Sequence, residues 1–238
     1  MIFWISAAAV TLAYMVKGLT GFANTLVFST IMSFFSNNVA ITPIEIILGT
    51  PSNIFIALRE RKSFRWNVVL PLAALTIAGC IPGALLLKSG NPQLVKLFFG
   101  LGVTVVGLET LLADRLKLKP SKIMLVVIGL TAGVMCGMYG IGALLVAYVS
   151  RTTDSPSEFR ANITFVFLLV DAFRAALYAA TGIFTAQVFI SALKLAPFMI
   201  LGMAAGTFMA GKINPLTVKK VIMILLILSG ISLIVTNL

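Results

Sequence analysis

The sequence predicts an all-α polytopic membrane protein with two inverted repeats, each a glycine-broken helical hairpin plus three transmembrane helices. Three observations support this prediction: the composition, the length of the apolar segments and a repetition of motifs. Of the 238 residues, 60% are hydrophobic and 11% charged, and the mean hydropathy is +1.09. Soluble globular domains contain about 45–50% apolar and about 25% charged residues. The chain is therefore expected to lie in a membrane.

Apolar segments follow one another along the whole chain, separated by short polar loops. A straight helix needs only about 20 apolar residues to cross a bilayer, and the first and fifth segments are longer than that. Each of these two is interrupted by glycines, so we expect each to be a hairpin whose tip is the glycine break. The other segments have the length of single spans. The segments are residues 2–35, 39–58, 66–87, 94–113, 123–149, 161–180, 187–210 and 218–236.

The second half of the chain repeats motifs of the first half in the same order. This repetition predicts a first repeat at 1–113, a basic cytoplasmic linker at 114–121 and a second repeat at 122–238. Glycine-interrupted segments in corresponding positions of two halves are typical of transporter binding sites. The matching positions are Gly18 with Gly137, Gly21 with Gly140, Asn91-Pro92 with Asn214-Pro215 and Lys96 with Lys219.

The distribution of lysine and arginine predicts the topology. If every segment crossed the membrane once, these residues would divide almost evenly between the two sides. If the first and fifth segments are hairpins that return to the side they entered, nearly all basic residues fall on one side, as the positive-inside rule requires. The second repeat is then inverted relative to the first. Both chain ends lie outside, and we expect the bacterial cytoplasmic (inner) membrane.

The two glycine tips are the predicted binding site. A hairpin arm of about 15 residues is about 22 Å long, shorter than the roughly 30 Å hydrocarbon core, so each tip lies inside the membrane. Each tip also begins a second half-helix, whose free N–H groups and positive dipole end suit an anion. The alternative is that the glycines only allow close helix packing. Lys17 beside the first break favours a site, because packing alone requires no cation there.

Polar residues inside the second and sixth segments extend this site. Thr50, Ser52 and Asn53 surround a proline in one, and Asp171 and Arg174 share a helix face in the other. Asp171 and Arg174 form either a structural ion pair or a site in which Arg174 binds an oxyanion and Asp171 couples transport to protons. The predicted substrate-binding residues are Lys17, Gly18, Thr20, Gly21, Asn24, Thr50, Ser52, Asn53, Gly137, Tyr139, Gly140, Gly142 and Arg174.

The remaining polar residues do not indicate an enzyme, a metal site or a nucleic-acid-binding protein. The chain has no histidine, and Cys80 and Cys136 lie in apolar segments as small buried residues, so we expect no catalytic residues, metal or cofactor. We expect Glu45, Glu109 and Lys194 at the membrane interface. The net charge of +11 fits anionic lipid headgroups rather than nucleic acid. A homo-oligomer is left open.

The glycine motifs resemble a known family of membrane proteins. Lys17-Gly18-Leu19-Thr20-Gly21-Phe22, Gly137-x-x-Gly140-Ile141-Gly142, Gly79-x-x-Pro82-Gly83 and Gly107 are similar, in that order, to the sulfite exporter TauE/SafE family. It is also called the 4-toluene sulfonate uptake permease family. The resemblance implies a permease for small sulfur-containing or organic anions. The chain departs from the pattern at Ala23, where the first tip often has another glycine.

The predicted function is a secondary transporter of small anions such as sulfite, sulfonates and sulfoacetate-like compounds. The anion would bind near the midplane between the two tips, and alternating access would follow from rocking of one repeat against the other. The alternatives are an anion channel, or a membrane-embedded enzyme or assembly subunit without transport activity.

Overall fold

The computed structural model describes residues 2–20, 23–36, 38–89, 91–112, 121–209, 212 and 215–238. Within these ranges the chain is helical. Six of the helices, α1, α3, α4, α6, α8 and α9, are long and apolar enough to cross a membrane. The prediction of an all-α polytopic membrane protein is thereby confirmed. The helices are α1 Ile2–Thr20, α2 Asn24–Ser33, α3 Asn38–Glu60, α4 Trp66–Ser89, α5 Pro92–Leu112, α6 Lys122–Tyr139, α7 Ala143–Thr152, α8 Pro156–Ala180, α9 Ala186–Met209 and α10 Pro215–Asn237.

The helices on the two sides of residues 113–120 follow the same order of lengths. The first half has helices of 19, 10, 23, 24 and 21 residues, and the second has 18, 10, 25, 24 and 23. Packing crosses between the halves, because α1 packs on α9 and α4 on α6. The predicted linker at 114–121 lies outside the described residues except for Ser121, which caps α6. The repeat boundaries therefore stay a prediction.

Helices α3 and α8, which occupy the same place in the two halves, pack antiparallel to each other. The end of α3 meets the start of α8, where Glu60 binds Arg160 at 3.0 Å. Further along, Asn53 of α3 contacts Asp171 of α8. A two-fold axis that relates antiparallel partners is perpendicular to them, and for spanning helices such an axis lies in the membrane plane. The packing favours inverted repeats, and the inversion itself stays a prediction.

The first broken segment forms a hairpin. The Ser6 hydroxyl near the start of α1 lies 3.5 Å from the Met32 sulfur near the end of α2, so the chain returns along α1 after its break. The loop after α3 also contacts the start of α8, where Arg65 binds Glu158 at 2.8 Å. If every segment crossed the membrane once, that loop and the start of α8 would lie on opposite sides of the membrane. This contact therefore excludes a topology of eight single crossings. The arms are unequal, 19 and 10 residues, rather than the predicted two of about 15.

Candidate anion-binding site

Both broken segments change direction at residues with left-handed backbone conformation. Ala23, directly before α2, has φ 73° and ψ 2°, and Gly140, directly after α6, has φ 74° and ψ 11°. Helices α2 and α7 begin just after these breaks, at Asn24 and Ala143. The first N–H groups of a helix have no partner within the helix, so both breaks present donors. Gly21, a predicted site residue, lies outside the described residues.

A cavity of about 40 Å³ lies between the two breaks. A single buried water needs about 10–15 Å³ in this kind of measure, so the cavity has room for a small polyatomic ion. Its wall comes from both breaks and from the middle parts of α3 and α8. The polar or glycine residues in this wall are Asn24, Thr25, Glu45, Asn53, Cys136, Gly140, Gly142, Asp171 and Arg174.

Arg174 is the main cationic group in the cavity wall. Its side chain is 1% exposed, and its Nη1 atom donates to Asp171 Oδ1 at 2.9 Å. The Nε and Nη2 atoms have no hydrogen-bond partner among the described residues. A Cβ on Gly140 would lie 3.0 Å from Nη2, so the guanidinium rests against the second break. Leaving buried donors unpaired is costly, and the side chain that carries them lines a cavity in which an anion fits.

Lys17 is buried beside the first break and is tied to α3. Its Nζ atom donates to Ser52 Oγ at 2.7 Å and to Asn53 Oδ1 at 2.9 Å. The Asn53 amide in turn lies 3.4 Å from Asp171 Oδ2. One chain of polar contacts therefore joins Lys17 on α1 to Arg174 on α8. Asn53 rather than Lys17 lines the cavity.

Glu45 is a member of the site that the sequence analysis assigned wrongly. It was expected at the membrane interface, but it is 4% exposed and lines the cavity. Its Oε1 atom accepts a hydrogen bond from the Asn24 amide at 2.5 Å. The spacing of Glu45, Gly49, Ser52 and Asn53 puts them on one face of α3, and this polar stripe was the signal available in the sequence.

A comparison with known protein families gives a finding that is independent of this geometry. The model of a family described as sulfite exporter TauE/SafE matches residues 6–233. The chain belongs to the sulfite exporter TauE/SafE family. Membership implies a membrane transporter of sulfur anions such as sulfite, which fits a protein that is not an enzyme. No curated protein and no solved structure matches the chain.

Two of the glycines predicted for the site of this TauE/SafE protein lie at helix contacts outside the cavity wall. A Cβ on Gly18 would meet the backbone of α9 around Gly206, and one on Gly137 would meet the carbonyl of Cys80 in α4. Both are points where two helix backbones come close, as small residues permit in membranes. Gly140 and Gly142 do line the cavity.

Three predicted polar residues are likewise absent from the cavity wall. Thr20 donates to Val16 O at 2.9 Å and Thr50 donates to Ile46 O at 2.7 Å, each within its own helix. The Tyr139 hydroxyl donates to the carbonyl of Val95 at 2.7 Å, which fixes α6 against α5. Of the polar residues predicted at the breaks, Asn24 therefore is the one whose side chain reaches the cavity.

The second half supplies a cavity residue and a neighbour of Arg174 that the sequence motifs do not identify. Cys136 is buried as expected, but it also lines the cavity, and its thiol donates to Ile141 O at 3.2 Å. The Tyr178 hydroxyl donates to the carbonyl of Gly137 at 2.5 Å, and its ring lies 5.5 Å from the Arg174 guanidinium carbon. Among the described residues, no three Cys, Asp or Glu side chains come together as metal ligands would.

Proposed function

We propose that the protein is a secondary transporter that binds one small sulfur-containing or organic anion in this cavity and moves it by alternating access. Sulfite, small sulfonates and sulfoacetate-like anions are the expected substrates. The observation that carries the proposal is the buried Arg174, which has two unpartnered nitrogen donors beside a cavity at two helix breaks.

The chemistry of the cavity wall suits a compact oxyanion. The free Nε and Nη2 atoms of Arg174 form a planar pair of donors, which matches two oxygens of a sulfite or sulfonate group. The starts of α2 and α7 add backbone N–H groups and positive dipole ends. Lys17 does not line the cavity. Its ammonium group donates a hydrogen bond to Asn53, which does, and so places a positive charge next to the cavity.

The burial of the site supports alternating access over an open pore. Arg174, Glu45 and Asn53 are at most 6% exposed, and the Asp171 side chain is 14% exposed. An anion can reach such a site only after part of the wall moves. The antiparallel pair α3 and α8 crosses at the cavity, so rocking of the two halves about this pair would open one side at a time. We also propose that the protein lies in the bacterial cytoplasmic membrane with both chain ends outside.

Flux measurements with purified protein in liposomes test the proposal. We expect saturable uptake of labelled sulfite and of a small labelled sulfonate, lost in Arg174→Ala and reduced in Lys17→Ala. Arg160→Ala is the matched control, because Arg160 is exposed and paired with Glu60 far from the cavity. Uptake that stays unchanged in both cavity variants would refute the assigned site. Flux without saturation would indicate a channel, and absence of flux a protein without transport activity.

A further inference from the structure

Two carboxylates line the cavity, the buried Glu45 and the partly buried Asp171, and they differ in their partners. Asp171 is paired with Arg174 at 2.9 Å and also lies next to the Asn53 amide. Glu45 contacts the neutral amide of Asn24 and the hydroxyl of Thr25. Among the described residues, no lysine or arginine nitrogen lies within 4.0 Å of Glu45. An ionised carboxylate that is buried without a cation partner is costly.

The charge of the cavity depends on the state of Glu45. Lys17 and Arg174 are cationic and Asp171 is anionic, so an ionised Glu45 makes the sum zero and a protonated Glu45 makes it plus one. A monovalent anion therefore enters a balanced site when Glu45 carries a proton, and enters with an uncompensated buried charge when it does not. The ionisable groups that face Glu45 are Tyr14 and Lys17 of α1, Cys136 of α6, and Asp171 and Arg174 of α8.

Glu45 also connects α3 to the first helix break. Its hydrogen bond to Asn24 joins α3 to the first residue of α2, directly after the left-handed Ala23. Tyr14 and Glu45 flank Gly49, since a Cβ there would lie 3.7 Å from the tyrosine hydroxyl and 3.1 Å from Glu45 Oε1. The carboxylate is thus packed between α1, α2 and α3 rather than held by an ion pair.

We infer that Glu45 binds the proton that accompanies the anion, so that the carrier is an electroneutral symporter of one proton with one monovalent anion. This inference rests on the proposed function and assigns its driving force. In each cycle a proton adds to the Glu45 carboxylate, the anion binds at Arg174, and both leave on the other side with no bond of the anion changed. Asp171, the predicted coupling residue, keeps its charge to hold Arg174.

The test compares two modes of transport in liposomes at zero membrane potential, with a labelled small sulfonate whose acid is fully ionised. In the first mode an inward proton gradient drives accumulation, and in the second labelled sulfonate exchanges for unlabelled sulfonate without a gradient. One pH unit corresponds to about 1.4 kcal/mol, so a gradient of about one unit should support about tenfold accumulation by one-to-one symport. Labelled sulfite is run in parallel.

Glu45→Gln separates the modes, because glutamine keeps an oxygen that accepts from Asn24 but cannot exchange a proton. We expect gradient-driven accumulation to fall to about the level without a gradient, while exchange persists. Glu60→Gln, on the same helix but in an ion pair at its end, should retain both modes. Glu45→Asp should restore accumulation.

The remaining outcomes would overturn either the role of Glu45 or the proposed function. Gradient-driven accumulation by Glu45→Gln, or loss of both modes in folded protein, overturns the inference while leaving the proposed function in place. Loss of accumulation with retained exchange in Asp171→Asn, together with coupled transport by Glu45→Gln, would transfer the role to Asp171. Absence of both modes in the unmodified protein would refute the proposed function and this inference together.

Discussion

Arg174 is the side chain on which anion binding is expected to depend most. Its guanidinium is almost fully enclosed, with one nitrogen committed to Asp171 and two left for a ligand. A cation of another shape in the same place would keep the charge but not the planar pair of donors. The shape of the donor and its charge can therefore be separated by experiment.

Arg174→Lys is expected to weaken sulfite binding about tenfold or more. A hydrogen bond to a charged group contributes about 1.5–3 kcal/mol, and the lysine loses the two-donor geometry while retaining its charge. Isothermal titration of the purified protein measures the change. Arg160→Lys, at an exposed ion pair, should bind sulfite as the unmodified protein does. Equal affinity in the two variants would show that charge alone holds the anion.

Ala23 is a second residue at which a single change has a clear expected effect. Its φ of 73° is unfavourable for a residue with a Cβ, at a cost of about 1–2 kcal/mol. Ala23→Gly is expected to stabilise the protein by about 1 kcal/mol, seen as a higher melting temperature in detergent. Gly140→Ala is the reverse change at φ 74° and should destabilise, since its Cβ would lie 2.9 Å from Thr25. A lower melting temperature for Ala23→Gly would contradict this.

The positions of the Glu45 and Tyr139 side chains could not be predicted from the sequence. Tyr139 stands in a glycine motif, yet its ring packs on Phe99 and its hydroxyl bonds to Val95, because side-chain direction at a break depends on neighbours distant in sequence. Glu45 looked interfacial from its place near the start of a segment. The tilt and depth of α3, which bury it, depend on packing against α2 and α8.

At the scale of helices, glycines determine which pairs come together. Gly206 of α9 lies against the backbone of Met15 in α1, and Gly133 of α6 lies against the backbone of Thr76 in α4. A methyl group at such a point overlaps a main-chain carbonyl, which cannot rotate away. Where a glycine faces only the end of a flexible side chain, the same methyl group can be accommodated.

Gly206→Ala is therefore expected to destabilise the pairing of α1 with α9 by about 1–3 kcal/mol, as overpacking does. Gly102→Ala is the matched control, because its Cβ would meet only the flexible end of the Met135 side chain. Helix propensity favours alanine in both cases, so it cancels in the comparison. The melting temperatures of the two variants in detergent give the result. A larger loss for Gly102→Ala would show that backbone contact is not the deciding factor.

The sequence predicted the helices well and their lengths less well. Hydropathy identified every long segment, since in a membrane apolar length and span length are nearly the same quantity. It could not divide the first segment into arms of 19 and 10 residues, because an apolar segment does not reveal where its helix breaks. The division depends on the left-handed Ala23, whose side chain gives no signal for such a conformation.

For the whole molecule, the charge distribution and the contacts between loops lead to the same topology. The loop after α3 meets the start of α8 through Arg65 and Glu158, so these two regions share one side of the membrane. The positive-inside rule, applied to the lysines and arginines, independently predicts the same side of the membrane for both regions. The positive-inside rule also predicts the direction of the chain relative to the cell, which the contact alone does not give.

Labelling of introduced cysteines should place Lys62 and Thr153 on the cytoplasmic side and Ala186 on the other. A membrane-impermeant maleimide applied to intact cells is expected to modify Ala186→Cys only, and to modify the other two only after the cells are opened. The native Cys80 and Cys136 are buried, so they give little background. Modification of Lys62→Cys and Thr153→Cys from opposite sides would refute the hairpin topology.

The polar cavity is assembled from unlike contributions by the two halves of the chain. Lys17 and Glu45 come from helices before residue 113, whereas Asp171 and Arg174 come from a helix after residue 120. Two copies of either half alone would bring together a pair of lysines or a pair of arginines, but never this set. If the gene arose by duplication, its halves have since become mutually dependent, and recombination that replaced one half with the other would yield a protein without this set of charges.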